Sequence, residues 1–307
     1  MYWLMKEKEN GYTYNGDVMS IYLQLLLASF FWGTNVIVMK LLLSEVPFLL
    51  LATIRVLLSF LFLGLYMGIK HISFHCENKH KIIIISILAI YLNFYFTFLG
   101  MGEVKGIDNA FMNALAPLLT FVFSLFLLKK KGNIYEYIAI GLTLLAFLLS
   151  IHFQIFSIRM GFWYLFIGMI LYMLGNVLIQ KWKLDHTLSL SFYELFYGFI
   201  FLFLHCFLIG QFDIRQLMNI PFIYWVLFIL ISGIGFAYIQ VIYIKAIKCI
   251  GAFRTSFFLS LNPIVTYIES LVFLKEEFDY MHFIGFVLLG IAIYLMKGKS
   301  KKNPQNT

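Results

Sequence analysis

Long apolar runs, separated at short intervals by small polar clusters, make up almost the whole chain. A bilayer span needs about 20 consecutive apolar residues. Seven windows of about that length carry no Asp, Glu, Lys or Arg: 21–39, 82–101, 110–128, 137–158, 160–180, 216–244 and 280–296. Three more hold one charge each: 47–69 with Arg55, 187–212 with Glu194 and 255–274 with Glu269. The runs are continuous rather than alternating, which fits helices and excludes a barrel of roughly ten-residue strands. The pattern predicts an all-α integral membrane protein of ten transmembrane helices with short connections and no attached soluble domain. The first window is too long for the apolar part of a cleaved leader, and no small-residue cleavage site precedes a polar start.

Composition agrees with this pattern. The 307 residues are 62% hydrophobic and only 12% charged, about half the charge of a soluble domain. An ordinary cytoplasmic enzyme, a disordered chain and a nucleic-acid binder are excluded. The formal net charge of +8 takes on meaning once Lys and Arg are assigned loop by loop. With the N-terminus inside, 17 of them fall on the cytoplasmic side, 5 on the outer side, and Arg55 stays within a span. Both termini are therefore predicted to be cytoplasmic, in a multi-pass protein of the cell (plasma or inner) membrane. The three cysteines, Cys76, Cys206 and Cys249, are too few and too far apart for a disulfide framework.

Ten spans divide into five plus five. A shift of 146 residues lays 100–129 on 246–275 with eight identities, among them Phe111/Phe257, Leu115/Leu261, Pro117/Pro263, Thr120/Thr266, Ser124/Ser270 and Lys129/Lys275. A shift of 141 sets Thr34-Asn35-Val36 on Gly175-Asn176-Val177. Because five is odd, the second unit enters the membrane upside down. The flanking charges agree: Lys129-Lys130-Lys131 follows span 4 on the inside, whereas Lys275-Glu276-Glu277 follows span 9 on the outside. The expected organisation is a cytoplasmic segment 1–20, a first five-helix repeat 21–158, a second, inverted repeat 159–296, and a basic cytoplasmic tail 297–307.

Inverted repeats of this kind belong to secondary transporters, whose sites lie near the midplane at the repeat interface and are marked by matching interruptions. Pro117 and Pro263 are such a pair, expected to kink spans 4 and 9 and to free a carbonyl four residues back. In this setting the chain resembles the EamA-type transporters of the drug/metabolite transporter superfamily. The resemblance is carried by Trp32-Gly33-Thr34-Asn35 and Lys40, Pro47 with Arg55, Asn113 through Pro117, and Ala246 through Pro263 on to Glu276 and Gly285. Lys130 departs from it, standing where the family often has a Glu. The resemblance implies a central cavity lined mainly by spans 1–4 and 6–9, with spans 5 and 10 peripheral. It also implies alternating access and, commonly, export of amino acids or other small metabolites.

Charges inside a membrane mark function by default. Arg55 and Glu194 lie at matching depths in spans 2 and 7, a cation opposite an anion. Arg55 suits a substrate carboxylate, and Glu194 an amino group or a coupling proton; each could instead be a structural tether. Glu269 lies close enough to the end of its span to reach the interface. Amides come next: Asn35 and Asn176 occupy matching repeat positions, and Asn113 and Asn262 lie beside the paired prolines. Asn93, Thr97, Gln180 and Gln240 follow as interhelical glue or cavity lining. The candidate substrate-binding set is thus Asn35, Arg55, Asn113, Asn176, Glu194 and Asn262, with Pro117 and Pro263 as kinks.

Other signals are set aside. His71, His75, Cys76 and His80 share a loop with three lysines, and no metal site is expected there. Gly64 and Gly68 suit close helix approach without arguing for a dimer. The 35 Phe and 19 Tyr follow AT-rich codon usage as well as they follow function. There is no catalytic triad, zinc motif or phosphate-binding loop, so no enzyme activity and no cofactor are expected. The reading is a secondary exporter of a small polar metabolite, most plausibly an amino acid or related compound. Its partners are that substrate and the lipid bilayer, with no nucleic acid, as a monomer or homodimer. The alternatives are an uptake carrier or multidrug efflux protein of the same fold, and a non-transporting membrane protein.

Overall fold

The structure is a computed structural model that describes residues 16–153, 159–184, 186–213, 215, 217, 220–275 and 277–297. Every regular element among them is helical. In chain order these are α1 (Gly16–Leu42), α2 (Phe48–Ile69), α3 (Lys79–Glu103), α4 (Asn109–Leu127), α5 (Ile134–Ser150), α6 (Met160–Trp182), α7 (Thr187–Leu208), α8 (Phe222–Ile250), α9 (Ala252–Phe273) and α10 (Tyr280–Lys297). Eight of them, α1–α4 and α6–α9, are long and apolar enough to cross a membrane, and α5 and α10 are shorter apolar helices. The structure therefore carries an all-helical membrane fold with eight candidate spans.

Local chemistry explains the helix ends. Pro47 precedes α2 in an extended conformation, where its missing N–H costs nothing. Asn133 and Glu136 form a reciprocal capping box at the start of α5. Gly251 separates α8 from α9 at φ 86°, ψ 154°, a conformation open essentially to glycine alone. The apolar run 216–244 predicted its helix too early: α8 begins after Pro221 and continues through Lys245 and Lys248 to Ile250. Lys248 places its ammonium on the Thr187 hydroxyl at 3.1 Å. A long amphipathic stem lets a lysine sit in a helix whose end reaches polar surroundings.

Pro117 and Pro263 behave differently from the expected kink. Each opens a helical segment directly after one 3₁₀ turn, Asn113–Leu115 in α4 and Leu259–Leu261 in α9. The carbonyls that the prolines cannot serve, of Asn113 and Leu259, accept instead from the N–H groups of Ala116 and Asn262. The 3₁₀ turn thus satisfies the orphaned acceptor within the helix, and no free carbonyl is presented. The two turns begin 146 residues apart. Wider π turns interrupt α3 over Ser86–Leu92 and α8 over Phe228–Gly235.

Packing follows a pattern that is preserved when each helix of the first five is exchanged for its counterpart in the second. Helix α1 packs on α8 and α9, as α6 packs on α3 and α4. Helix α2 packs on α7 and α8, as α7 packs on α2 and α3; α5 and α10 pack chiefly on each other, at the side of the bundle. Contacts also sort the connections to two ends. At one end Lys40 donates to the carbonyls of Met101 and Val104, and His152 pairs with Asp279 at 2.7 Å. At the other, the Gln180 side-chain oxygen accepts from the Ala252 N–H at 2.8 Å, and burial together with the nearby Arg254 pushes the Lys130 ammonium below its ordinary value. Large apolar side chains such as Leu23, Leu65, Phe126, Phe207 and Phe273 point outward, a surface that hydrocarbon rather than water would cover.

Candidate functional site

Arg55 is the eighth residue of the 22-residue α2, and Glu194 is the eighth of the 22-residue α7. Equal registers put them at equivalent depths from opposite ends of the bundle. Their surroundings differ.

Arg55 is buried at 5% exposure and held by aromatic faces. Its guanidinium carbon lies 4.2 Å from the ring centre of Phe236, 4.8 Å from Phe94 and 5.8 Å from Phe98. Phe94 and Phe98 stand one turn apart on α3, and Phe236 reaches in from α8. Each such stack is worth about 0.5–2 kcal/mol when desolvated. That does not replace a counter-ion, because a buried unpaired charge costs several kcal/mol. Among the described residues no carboxylate lies within ion-pair distance of Arg55, and its Nε has no hydrogen-bond partner.

The guanidinium faces a cavity of about 50 Å³, room for a few waters and far below the roughly 300–1,000 Å³ of a ligand pocket. Its polar lining consists mostly of amides: Asn35, Asn93, Asn109 and Asn113, with Thr97 beside them and Trp32 and Tyr172 closing one side. Two of these amides are already engaged, Asn35 Nδ2 with Ser232 Oγ of α8 at 2.7 Å and Asn93 Nδ2 with the Gly168 carbonyl of α6 at 2.9 Å. Their orientation is fixed by neighbouring helices, while Arg55 keeps free donors. Chemically, the arrangement is an anion acceptor with neutral hydrogen-bonding walls.

Glu194 has no measurable exposure, and neither carboxyl oxygen has a partner within hydrogen-bond distance. Its polar neighbours are the Gln240 amide of α8 and the Tyr172 hydroxyl of α6. Tyr172 lies within electrostatic reach of Arg55 as well, stacks on Tyr243 at 5.9 Å and meets Trp32 at 5.6 Å. Its hydroxyl faces the Asn176 amide one turn along α6 without reaching hydrogen-bond distance.

The structure thus brings Asn35, Arg55 and Asn113 to one cavity, with the lower-ranked Asn93 and Thr97. Asn176 and Glu194 form a separate, packed cluster. Asn262 is in neither: fully buried, with both side-chain atoms unpartnered, it sits where α9 presses on α1. A Cβ on Gly33 would lie 2.7 Å from Val265 and 3.2 Å from the Asn262 carbonyl oxygen. Around that contact Thr266 donates to the Gly33 carbonyl and Thr34 donates to Glu269 at 2.7 Å. The run Trp32-Gly33-Thr34-Asn35 therefore serves four tasks: cavity wall, close approach, tie to α9 and tie to α8. Of the two loosely paired glycines in α2, Gly64 meets Phe192 of α7 while Gly68 has open space. Glu276 lies outside the described residues.

Sequence reasoning missed Tyr172, Asn109 and the aromatic cage. In so aromatic a chain, Phe94, Phe98 and Phe236 carry no individual signal; only the spacing of Phe94 and Phe98, with a membrane arginine elsewhere, could have marked two of them.

Comparison with known proteins agrees with this architecture. The EamA-like transporter family matches the chain twice, over residues 19–152 and 159–297. The uncharacterized transporter YetK of Bacillus subtilis (strain 168) is 23% identical over 298 residues, covering 92% of this chain and 88% of that protein. A protein crystal structure superimposes with a TM-score of 0.67 at 13% identity, over 90% of this chain and 96% of that one, which speaks for the fold alone.

Proposed function

The chain belongs to the EamA-like transporter family, and from that premise we propose a secondary transporter that exports a small polar metabolite bearing a carboxylate, an amino acid or related compound, by alternating access. It is a multi-pass membrane protein, and we read its ten helices as two inverted five-helix repeats, 21–158 and 159–296, with both termini cytoplasmic. Three observations support that arrangement: the 17-to-5 distribution of Lys and Arg, the two 3₁₀ turns separated by the same 146 residues as the sequence match, and helix contacts preserved on exchanging the halves.

The observation that carries the substrate class is the buried guanidinium of Arg55, without a carboxylate partner and facing amides across a cavity. A substrate carboxylate supplies the missing counter-charge, and the amides of Asn35 and Asn113 hold its neutral polar atoms. The cavity has room for waters only, so on this reading loading requires the halves to rock apart.

A different feature favours a second reading, efflux of larger apolar compounds. An apolar groove of about 940 Å³ opens between α1 and α2, lined by Leu23, Leu27, Phe62, Leu65 and Tyr238 among others. Purified protein in liposomes separates the two. With a labelled panel of amino acids, other carboxylates and apolar cations, movement of carboxylates that requires Arg55 supports the first reading. Movement of the apolar cations alone establishes the second, and movement of nothing refutes both. Resistance of overproducing cells to toxic amino-acid analogues tests the direction.

A further inference from the structure

Helices α1 and α2 are consecutive, yet each packs on α8 more than on the other. The groove left between them has the buried side chains of Ala237, Val241 and Ile242 of α8 as its floor. Leu23, Leu65 and Ile69 line it and stay well exposed, so in a bilayer the groove opens sideways to hydrocarbon. Along α1 it runs from Met19 to Leu27, about 12 Å at 1.5 Å per residue, within the roughly 15 Å of one leaflet's hydrocarbon. It shares no residue with the Arg55 cavity. A groove of one leaflet's depth, open to that leaflet, has the shape of an acyl-chain site.

An acyl chain gains no hydrophobic energy by entering it, because hydrocarbon surrounds the chain either way. What retains a particular lipid is therefore its polar end. Toward the end of the bundle where α1 begins and α2 stops, the lining includes Ser20, Gln24 and Tyr66, and the Gln24 Oε1 and Tyr66 hydroxyl are buried without a hydrogen-bond partner. Unmet polar atoms are costly in hydrocarbon, and lipid esters supply acceptors. The Tyr66 O–H is free to donate to one. Gln24 Nε2 donates to Ser20 Oγ at 3.1 Å; with the amide turned over, Ser20 donates to its oxygen and the NH₂ group is left for a second ester. Past these residues stand two lysines. Lys70 directly follows Ile69 and is exposed, and Lys245 lies one turn beyond Val241 and Ile242 on the same face of α8. Two cations at the mouth of an acyl groove complement an anionic headgroup.

We propose that the groove between α1 and α2 holds an anionic phospholipid of the leaflet at that end, its acyl chain against α8 and its phosphate between Lys70 and Lys245. The site goes beyond the transport reading and holds whatever substrate crosses. A lipid seated there wedges between α1, which gives Trp32 and Asn35 to the cavity wall, and α2, which carries Arg55. Its occupancy thus bears on the spacing of the helices that build the substrate site.

The test uses full-length protein, delipidated in detergent and titrated with phosphatidylglycerol or with phosphatidylcholine of the same chains, bound lipids being counted by native mass spectrometry. One phosphatidylglycerol is expected to bind roughly ten- to thirty-fold more tightly than phosphatidylcholine, the effect of two lysines near an anionic headgroup. It should also raise the thermal midpoint more than phosphatidylcholine does at the same concentration. Lys70→Gln combined with Lys245→Gln brings the two lipids to equal affinity. Leu23→Trp, which fills the groove from its rim, loses the bound lipid, whereas Leu204→Trp, at an exposed position of α7 outside the groove, keeps it. Equal affinity for the two lipids in the wild type overturns the proposal, as does a preference that survives the lysine pair or a bound lipid that survives Leu23→Trp. A wild type that binds tetraphenylphosphonium in the groove and no phosphatidylglycerol also overturns it, giving the groove to apolar compounds. A dimer that forms on delipidation and is lost in Leu23→Trp overturns it in favour of a second copy of the chain. These readouts need no substrate, so failure of the transport reading and failure of the lipid site are told apart.

Discussion

Arg55 and Glu194 share a register, a helix length and a depth, yet one faces an amide-lined cavity and the other is packed into a buried cluster. The contrast extends to their neighbours. Phe94 of α3 and Gln240 of α8 are 146 residues apart, the offset that also superimposes the 3₁₀ turns. Phe94 lies over the guanidinium, and Gln240 adjoins the carboxyl. An aromatic face stabilises a cation and repels an anion, whereas an amide can donate to or accept from either form of a carboxyl group. The same register thus holds opposite charges in different surroundings, three aromatic faces over Arg55 and an amide beside Glu194. The comparison teaches that two positions equal in register and helix length differ in chemistry because the side chains packed around them differ.

The largest expected effect comes from removing the cation. Arg55→Gln should weaken carboxylate binding by ~10–100-fold, from the roughly 1.5–3 kcal/mol of a hydrogen bond to a charged group. Equilibrium binding in detergent reads this directly; unchanged affinity would end the distinction between the two sites. Next is the seam between the halves, where α1 meets α9. Gly33→Val drives methyl groups into Val265 and the Asn262 carbonyl, at a cost of about 1–3 kcal/mol, while Gly68→Val meets open space and should change stability by less than about 0.5 kcal/mol. Thermal unfolding of the two variants side by side checks it, and equal behaviour would mean that the seam is not close-packed.

Phe236→Leu keeps the site apolar and removes the nearest ring over Arg55. Stability should fall by about 1 kcal/mol, with carboxylate affinity reduced. Unchanged stability would show that the ring contributes nothing to holding the cation. The smallest effect belongs to the periphery, where Asp279 joins α5 to α10 through His152 and His282 at 2.7 and 3.4 Å. Burial pushes the Asp279 carboxyl up, but the Met281 N–H and the two histidines outweigh it and hold it below the ordinary value of 3.8. A depressed carboxyl contributes stability above its unfolded value that is lost as pH falls through its folded value. Asp279→Asn should therefore cost less than about 1 kcal/mol near neutrality, and the difference from wild type should vanish as the medium is acidified below about pH 4. A difference that persists in acid would assign the effect to packing.

Much of this was legible in one dimension because a bilayer imposes a one-dimensional rule. A chain crossing hydrocarbon must close its backbone hydrogen bonds within each helix, so uninterrupted apolar runs locate the helices without reference to neighbours. The positions of Arg55 and Glu194 followed for the same reason: a charge inside such a run stands out against an apolar background. Pro117 and Pro263 were found by their spacing, but not their effect, since whether an orphaned carbonyl stays free depends on the backbone's choice of a 3₁₀ turn.

Assignment to one cavity lay beyond the sequence. Asn35, Asn113, Asn176 and Asn262 look alike as amides inside apolar runs, and helix rotation decides what each one faces. Asn35 and Asn113 turn to Arg55, Asn176 to Tyr172, and Asn262 into the α1–α9 seam. The aromatic cage was invisible for a related reason: Phe236 meets Arg55 across 181 positions of chain, and nothing in either residue's neighbourhood names the other. By itself the sequence determined a multi-pass helical membrane protein, its repeat and the depth of its charges, because hydrocarbon selects residues one helix at a time. Only the tertiary structure decided which charge meets a cavity and which is sealed, because that depends on how helices turn and pack against each other.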